Sequence, residues 1–179
     1  VQNPLFQRQD GTYQIDFDRF EQQIVADHLR AFILCNPQNP TGRVFSREEL
    51  TRLAEICLRH NVLIISDEIH CDVVYDNRKH IPIASLSPEV SAITITFMAP
   101  SKTYNIAGLH ASVYIIQNPE LMDTFLSFCN GLIGCPGLLS LTAAQAAYAE
   151  GDAWLAEQNR YLQENRDFLD EAFRSQLRT

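Results

Sequence analysis

Ala31-Phe32-Ile33-Leu34-Cys35, Ser46-Arg47-Glu48-Glu49 and Val62-Leu63-Ile64-Ile65, read in that order, decide the fold. The first segment is a short apolar run stopped by Asn36-Pro37, the pattern of a strand buried on both faces. The second has capping-box form, with Ser46 as N-cap and Glu49 at the third helical position. It opens a helix whose apolar positions Leu50, Leu53, Ala54 and Cys57 follow i, i+3, i+4, i+7. The third is a second buried strand after His60-Asn61. Strand, capped helix and strand joined by short loops make a βαβ crossover, so the two strands are expected to run parallel.

Upstream, a Pro4 turn leads to Asp10-Gly11, a hairpin signal, and then to a polar stretch from Asp16 to Arg30 that reads as helix. Downstream lie a third apolar strand, Ala92 to Phe97, and a fourth, Ala111 to Ile116. About a dozen mostly polar residues join these two, short for a helical crossover, which favours an antiparallel fourth strand. From Asn118-Pro119 onward the pattern is helical, with an alanine-rich stretch from Ala143 to Glu150. Asp152 to Leu177 carries Trp154, Leu155, Tyr161, Leu162, Phe168, Leu169, Ala172 and Phe173 on one side, a stripe expected to pack into the core. Neither an internal repeat nor a low-complexity linker interrupts the chain, and the class is α/β.

Composition narrows the function. At 179 residues and 46% hydrophobic, the chain has enough apolar content for a sizeable core. Fourteen basic against 22 acidic side chains, a net charge of −8, disfavour nucleic acid and anionic membrane as partners. No run approaches the roughly 18 apolar residues of a membrane span. The five cysteines, Cys35, Cys57, Cys71, Cys129 and Cys135, are scattered, odd in number and without a C-x-x-C pair. A disulfide framework or zinc site is therefore not expected, and a reducing, cytoplasmic setting is. The start, Val1-Gln2-Asn3-Pro4, has neither an initiator Met nor a signal peptide and reads as a piece that begins mid-sequence.

In open α/β sheets ligands bind outside the carboxyl ends of the strands, and three of these ends carry distinctive chemistry. Asn36-Pro37-Gln38-Asn39-Pro40-Thr41-Gly42 is a rigid turn from which the Asn39 amide is expected to project. In Ser66-Asp67-Glu68-Ile69-His70, the two acids point to opposite faces if the strand continues. One carboxylate should then face the crevice, where it needs a cation or a donor. In Ala99-Pro100-Ser101-Lys102-Thr103-Tyr104-Asn105-Ile106-Ala107-Gly108-Leu109, the lysine has small and apolar neighbours. Desolvation there would lower its pKa and make it an amine nucleophile or base. Taken singly, each loop also reads as ordinary structure: a plain turn, a core ion pair, a surface lysine. Taken together, an amide donor, a carboxylate and an amine aimed at one crevice are what a pyridoxal phosphate site requires.

The three ordered motifs resemble the class I/II aminotransferase superfamily of pyridoxal phosphate enzymes of fold type I, and within it the cystathionine β-lyase, or C–S lyase, branch. The resemblance runs from Asn36 to the helical region after Leu138. It implies a three-layer α/β/α large domain with a mostly parallel mixed sheet, here incomplete. Residues 1–150 would be the central part of that cofactor-binding domain, and residues 151–179 a helix leading toward a C-terminal small domain. It further implies that Lys102 is the catalytic Schiff-base lysine, that Asp67 pairs with the pyridine nitrogen and that Asn39 contacts the phenolic oxygen. The aspartate aminotransferase pattern has Tyr where this chain has His70, a phosphate-binding Ser at the position of Ala99 and an Arg at that of His110. Those departures speak against ordinary amino-donor transamination; they leave His70 at the cofactor, and Ser101 and then His110 as weaker phosphate candidates.

The implied reaction is α,β-elimination from a cysteine S-conjugate, giving a thiol, pyruvate and ammonia. Amino-group exchange between an amino acid and a 2-oxo acid is the alternative, and a ligand-sensing domain of a regulator a third reading. Family members are homodimers with their sites at the subunit interface, to which the Gly131–Gly137 turn is a candidate contributor. They are also longer: the phosphate loop and the carboxylate-binding arginine are expected outside this chain. Arg166, Arg174 and Arg178 read as helix-surface residues, and weak or no cofactor binding is expected of the chain alone.

Overall fold

The computed structural model describes residues 1–176, so Leu177 and Arg178 lie outside the described residues. A two-stranded antiparallel hairpin, β1 (Phe6–Gln7) and β2 (Tyr13–Gln14), turns at the expected Asp10-Gly11. Gly11 sits at φ +84°, the left-handed conformation that favours glycine. Helix α1 (Phe17–Ala26) starts on Asp16, whose side chain accepts the Arg19 N–H. It stops four residues short of the expected Arg30, because His28 turns left-handed at φ +49°.

The central sheet has the order β3 (Ala31–Cys35), β4 (Leu63–Asp67), β5 (Thr94–Met98), β6 (Val113–Ile115). β3, β4 and β5 are parallel, and β6 is antiparallel to β5, as the strand spacing implied. Helix α2 (Arg47–Arg59) joins β3 to β4 with both bonds of the capping box made: Glu49 N–H to Ser46 Oγ at 3.3 Å and Ser46 N–H to Glu49 Oε2 at 2.9 Å. Leu50, Leu53, Ala54 and Cys57 are all buried, as their spacing required. The sequence reading missed helix α3 (Pro88–Ala92), although Ser87-Pro88-Glu89 carries its signal: a capping serine, proline at the first position and an acid beside it.

Period-two alternation divides the sheet into two faces. Ile64 and Ser66 of β4, with Thr94 and Thr96 of β5, turn toward the main core. There Phe20, Ile24, Leu50, Leu53, Val62, Ile83 and Val90 pack together beneath α1, α2 and α3. The other face carries the register row Ile33, Ile65 and Ile95. Helix α5 (Pro119–Cys129) covers only its far end, where Phe125 packs on Phe97 of β5 and Tyr114 of β6. Ile33 is accordingly 71% exposed and Ile95 only 5%. The expectation that β3 is buried on both faces is corrected: among the described residues it is an edge strand packed on one. The result is a three-layer α/β/α arrangement whose second helical layer is partial.

Helices α6 (Leu138–Glu150) and α7 (Asp152–Gln176) follow, joined at Gly151. The aromatic stripe of α7 does not enter the core: Tyr161, Phe168 and Phe173 are exposed, Phe168 at 69%. The reason is that α7 bonds the rest of the chain through polar side chains, Gln158, Asn159, Gln163 and Arg166. Among the described residues, no helix is long and apolar enough to cross a membrane.

Leu53→Ala should lower unfolding free energy by about 2–5 kcal/mol, since it empties a fully packed site beneath the sheet. Ser46→Ala, which removes one cap, should cost about 1 kcal/mol. Urea unfolding midpoints check both, and the reverse order would contradict the packing described.

Candidate active site

Parallel pairing sets Cys35 opposite Asp67 and Asp67 opposite Phe97. Bonds from Asn36 N–H to Asp67 O at 3.0 Å and from Glu68 N–H to Phe97 O at 2.9 Å close this edge. Three strands thus end at one level, and the loops bearing Asn39, Asp67 and Lys102 leave from it side by side.

The first loop is shaped by its own hydrogen bonds. Buried Asn36 accepts the Phe45 N–H through Oδ1 at 3.0 Å, tying the loop's two ends together. Gln38 accepts from Thr41 N–H at 3.0 Å, and its own N–H donates to Arg43 O at 2.7 Å. Gly42, at φ +68°, makes the return. Asn39 stands exposed near the tip. The holding role of Asn36 went unnoticed there; its signal is an asparagine at a strand end before a proline turn.

Alternation sends the two acids of the second loop apart. Glu68 continues on the core side and is 0% exposed. Its carboxylate accepts from Ser66 Oγ at 2.9 Å and the Ile83 N–H at 3.3 Å, and meets His80 Nε2 at 2.6 Å. Glu68 is therefore the structural acid, and His80 a partner that the sequence reading did not identify. Asp67 lies on the other face, half-buried, with Oδ1 accepting the Ile69 N–H at 3.2 Å. No side-chain donor among the described residues engages its carboxylate. His70 is half-buried in the turn that follows.

The third loop opens with a single helical turn, α4 (Pro100–Thr103). Ser101 is half-buried, and Lys102 is exposed without an ion-pair partner among the described residues. The expected desolvated lysine is corrected on this point: its neighbours are small and leave it open to water. The residues after it are anchored. Thr103 Oγ1 donates to Asp72 Oδ2 at 2.9 Å, and Tyr104 packs on Tyr148 and Trp154. Burial, with Asp72 and Cys71 nearby, pushes the Tyr148 phenol up to about 12, and burial pushes the Cys71 thiol to about 12. Both stay protonated at neutral pH.

His110 and the Gly131–Gly137 turn lie elsewhere, on a groove of about 1270 Å³ beside β6 and α5. Asn39, Asp67, His70, Ser101 and Lys102 do not line it. Arg166 is exposed, in a two-bond pair with Asp76 at 2.7 and 2.8 Å.

The donor set at the strand ends fits pyridoxal phosphate. It offers a free amine for a carbonyl carbon, a carboxylate with spare acceptor capacity for a protonated ring nitrogen, and an exposed amide for a phenolic oxygen. Ser101 is the nearby hydroxyl available to a phosphate.

A family model described as aminotransferase class I and II matches residues 5–178. Cystathionine beta-lyase PatB of Bacillus subtilis is 45% identical over 92% of this chain, and protein MalY of Escherichia coli is 36% identical over the same share. The chain spans less than half of either relative, 43% and 42% of their lengths. A crystal structure of the pyridoxal phosphate-bound C–S lyase from Staphylococcus hominis superposes with a TM-score of 0.91 at 41% identity. That match covers 99% of this chain and 44% of the other.

The two acids should separate by stability. Glu68→Ala strands three buried partners and should cost about 3–5 kcal/mol, whereas Asp67→Ala, losing one backbone bond, should cost about 0.5–1.5 kcal/mol. Urea titration measures both. The Arg166 pair holds the Asp76 carboxyl below its usual value of 3.8. A depressed folded-state pKa gives a contribution present above the unfolded value and lost as pH falls through the folded one. The tie between α7 and this loop should therefore persist at neutral pH and open only in acid, below the ordinary aspartate range, as read by NMR titration of Asp76.

Proposed function

Because the chain belongs to the aminotransferase class I and II family, we propose that the protein containing it is a pyridoxal phosphate-dependent C–S lyase acting on cysteine S-conjugates. The observation that carries the proposal is the common level of the three strand ends, which sends an amide, a carboxylate and an amine out from one sheet edge. The identity to a cystathionine beta-lyase supports elimination over other chemistry of the family.

Pyridoxal phosphate, when bound, supplies a protonated pyridine ring that draws electron density from the substrate's Cα. Lys102 Nζ would hold the cofactor covalently and, as the free amine, would take the substrate's α-proton. The Asp67 carboxylate would keep the proton on the ring nitrogen. The Asn39 amide would hold the phenolic oxygen, His70 would lie against the ring, and the Ser101 hydroxyl would hold the phosphate. As the Cβ–S bond breaks, Lys102 would pass that proton on to the departing sulfur, which leaves as a thiol. The remaining three-carbon unit takes up water and yields pyruvate and ammonia. Residues 1–150 serve as the central part of the cofactor-binding domain, and the helix from residue 151 leads toward a second one. The working protein is a cytoplasmic homodimer, with partners limited to small amino-acid substrates.

The family model's own description favours amino-group exchange as the second reading. The full-length protein should release pyruvate and free thiol from cystathionine. Glutamate-dependent exchange without thiol release would replace the lyase reading with the transaminase one. Lys102→Ala should abolish turnover, and Asp67→Asn should lower it about 100- to 1,000-fold. Unchanged pyruvate formation by Lys102→Ala would sink the assignment.

A further inference from the structure

Lys102 rides on a helix of one turn, too short to hold its own geometry. Catalysis nevertheless needs the amine held to within about 0.5 Å of its productive position. The holding groups lie one residue further on. Thr103, 0% exposed, donates its hydroxyl to Asp72, five residues beyond Asp67 on the neighbouring loop. Helix α7 engages both partners through adjacent side chains. Gln158 Nε2 donates to Thr103 O at 3.0 Å, and Asn159 Nδ2 donates to Asp72 O at 2.8 Å. Tyr104 fills the space over Gly151, where any Cβ would collide with its ring.

We propose that Thr103 and Asp72 are positioning residues for Lys102: their hydrogen bond, braced by Gln158 and Asn159, locks the turn bearing the amine to the loop that follows Asp67. This role rests on the reading of Lys102 as the cofactor-bearing amine. It makes α7 more than a connector, because one helix fixes both loops that meet the ring.

The test uses the full-length protein loaded with pyridoxal phosphate. Thr103→Val removes the hydroxyl, and Thr103→Ser keeps it. Thr103→Val should lower kcat about 100-fold with KM little changed. It should also displace the pH midpoint of the bound cofactor's visible absorption band, and slow borohydride fixation of cofactor onto Lys102, read by peptide mass. Thr103→Ser should restore all three. Wild-type kcat with an undisplaced midpoint in Thr103→Val overturns the proposal. Should that variant not fold, Gln158→Ala decides in its place: a displaced midpoint supports the lock, and wild-type midpoint and kcat overturn it. Lys102→Ala keeps the two ideas apart. Turnover that survives in it removes the cofactor-bearing role of Lys102. Turnover lost there, alongside wild-type behaviour of Thr103→Val, removes only the positioning role.

Discussion

The backbone hydrogen bonds that align Cys35 with Asp67 and Asp67 with Phe97 end three parallel strands at one level, and the site is a consequence of that alignment. Slipping one strand by a residue would exchange its two faces and move its loop relative to the others. Asp67 would then turn into the core and Glu68 out of it. The register is secured on the core side, where Ile64, Ser66, Thr94 and Thr96 fit beneath α2 and α3 with almost no exposure. The three strand-end loops are thus placed by packing on the covered face of the sheet.

Burial treats the two adjacent acids differently for the same reason. A carboxylate on the covered face is stable only with its acceptor sites filled, and Glu68 finds Ser66, His80 and the Ile83 N–H. On the thinly covered face Asp67 needs no such set, and its carboxylate keeps capacity for an incoming donor. A period of two thus gives neighbours in sequence one filled and one open carboxylate.

Much of this was legible in the residues. Capping at Ser46, the helical spacing of Leu50 to Cys57, the hairpin at Asp10-Gly11 and the antiparallel last strand are local or nearest-neighbour effects, and all four appear as read. Loop order alone brought Asn39, Asp67 and Lys102 to attention. The failures were long-range. Ile33 looked as buried as Leu34 but is exposed in this chain, which spans less than half of its relatives, and no periodicity says which neighbours cover a face. The α7 stripe looked like a core face, but helix orientation was set by polar bonds to Asp72, Asp76 and Thr103, 55 to 90 residues away in sequence.

The sequence by itself determined the α/β class, the crossover, the capped helix and which three loops bring an amide, a carboxylate and an amine to the strand ends, because these follow from propensity, alternation and turn chemistry within short windows. Only the tertiary structure decided which acid is free, how exposed Lys102 is, and that α7 braces both loops through Asp72 and Thr103. Those outcomes depend on which groups meet across the fold, and on whether water or protein fills the space beside them. No local pattern encodes either.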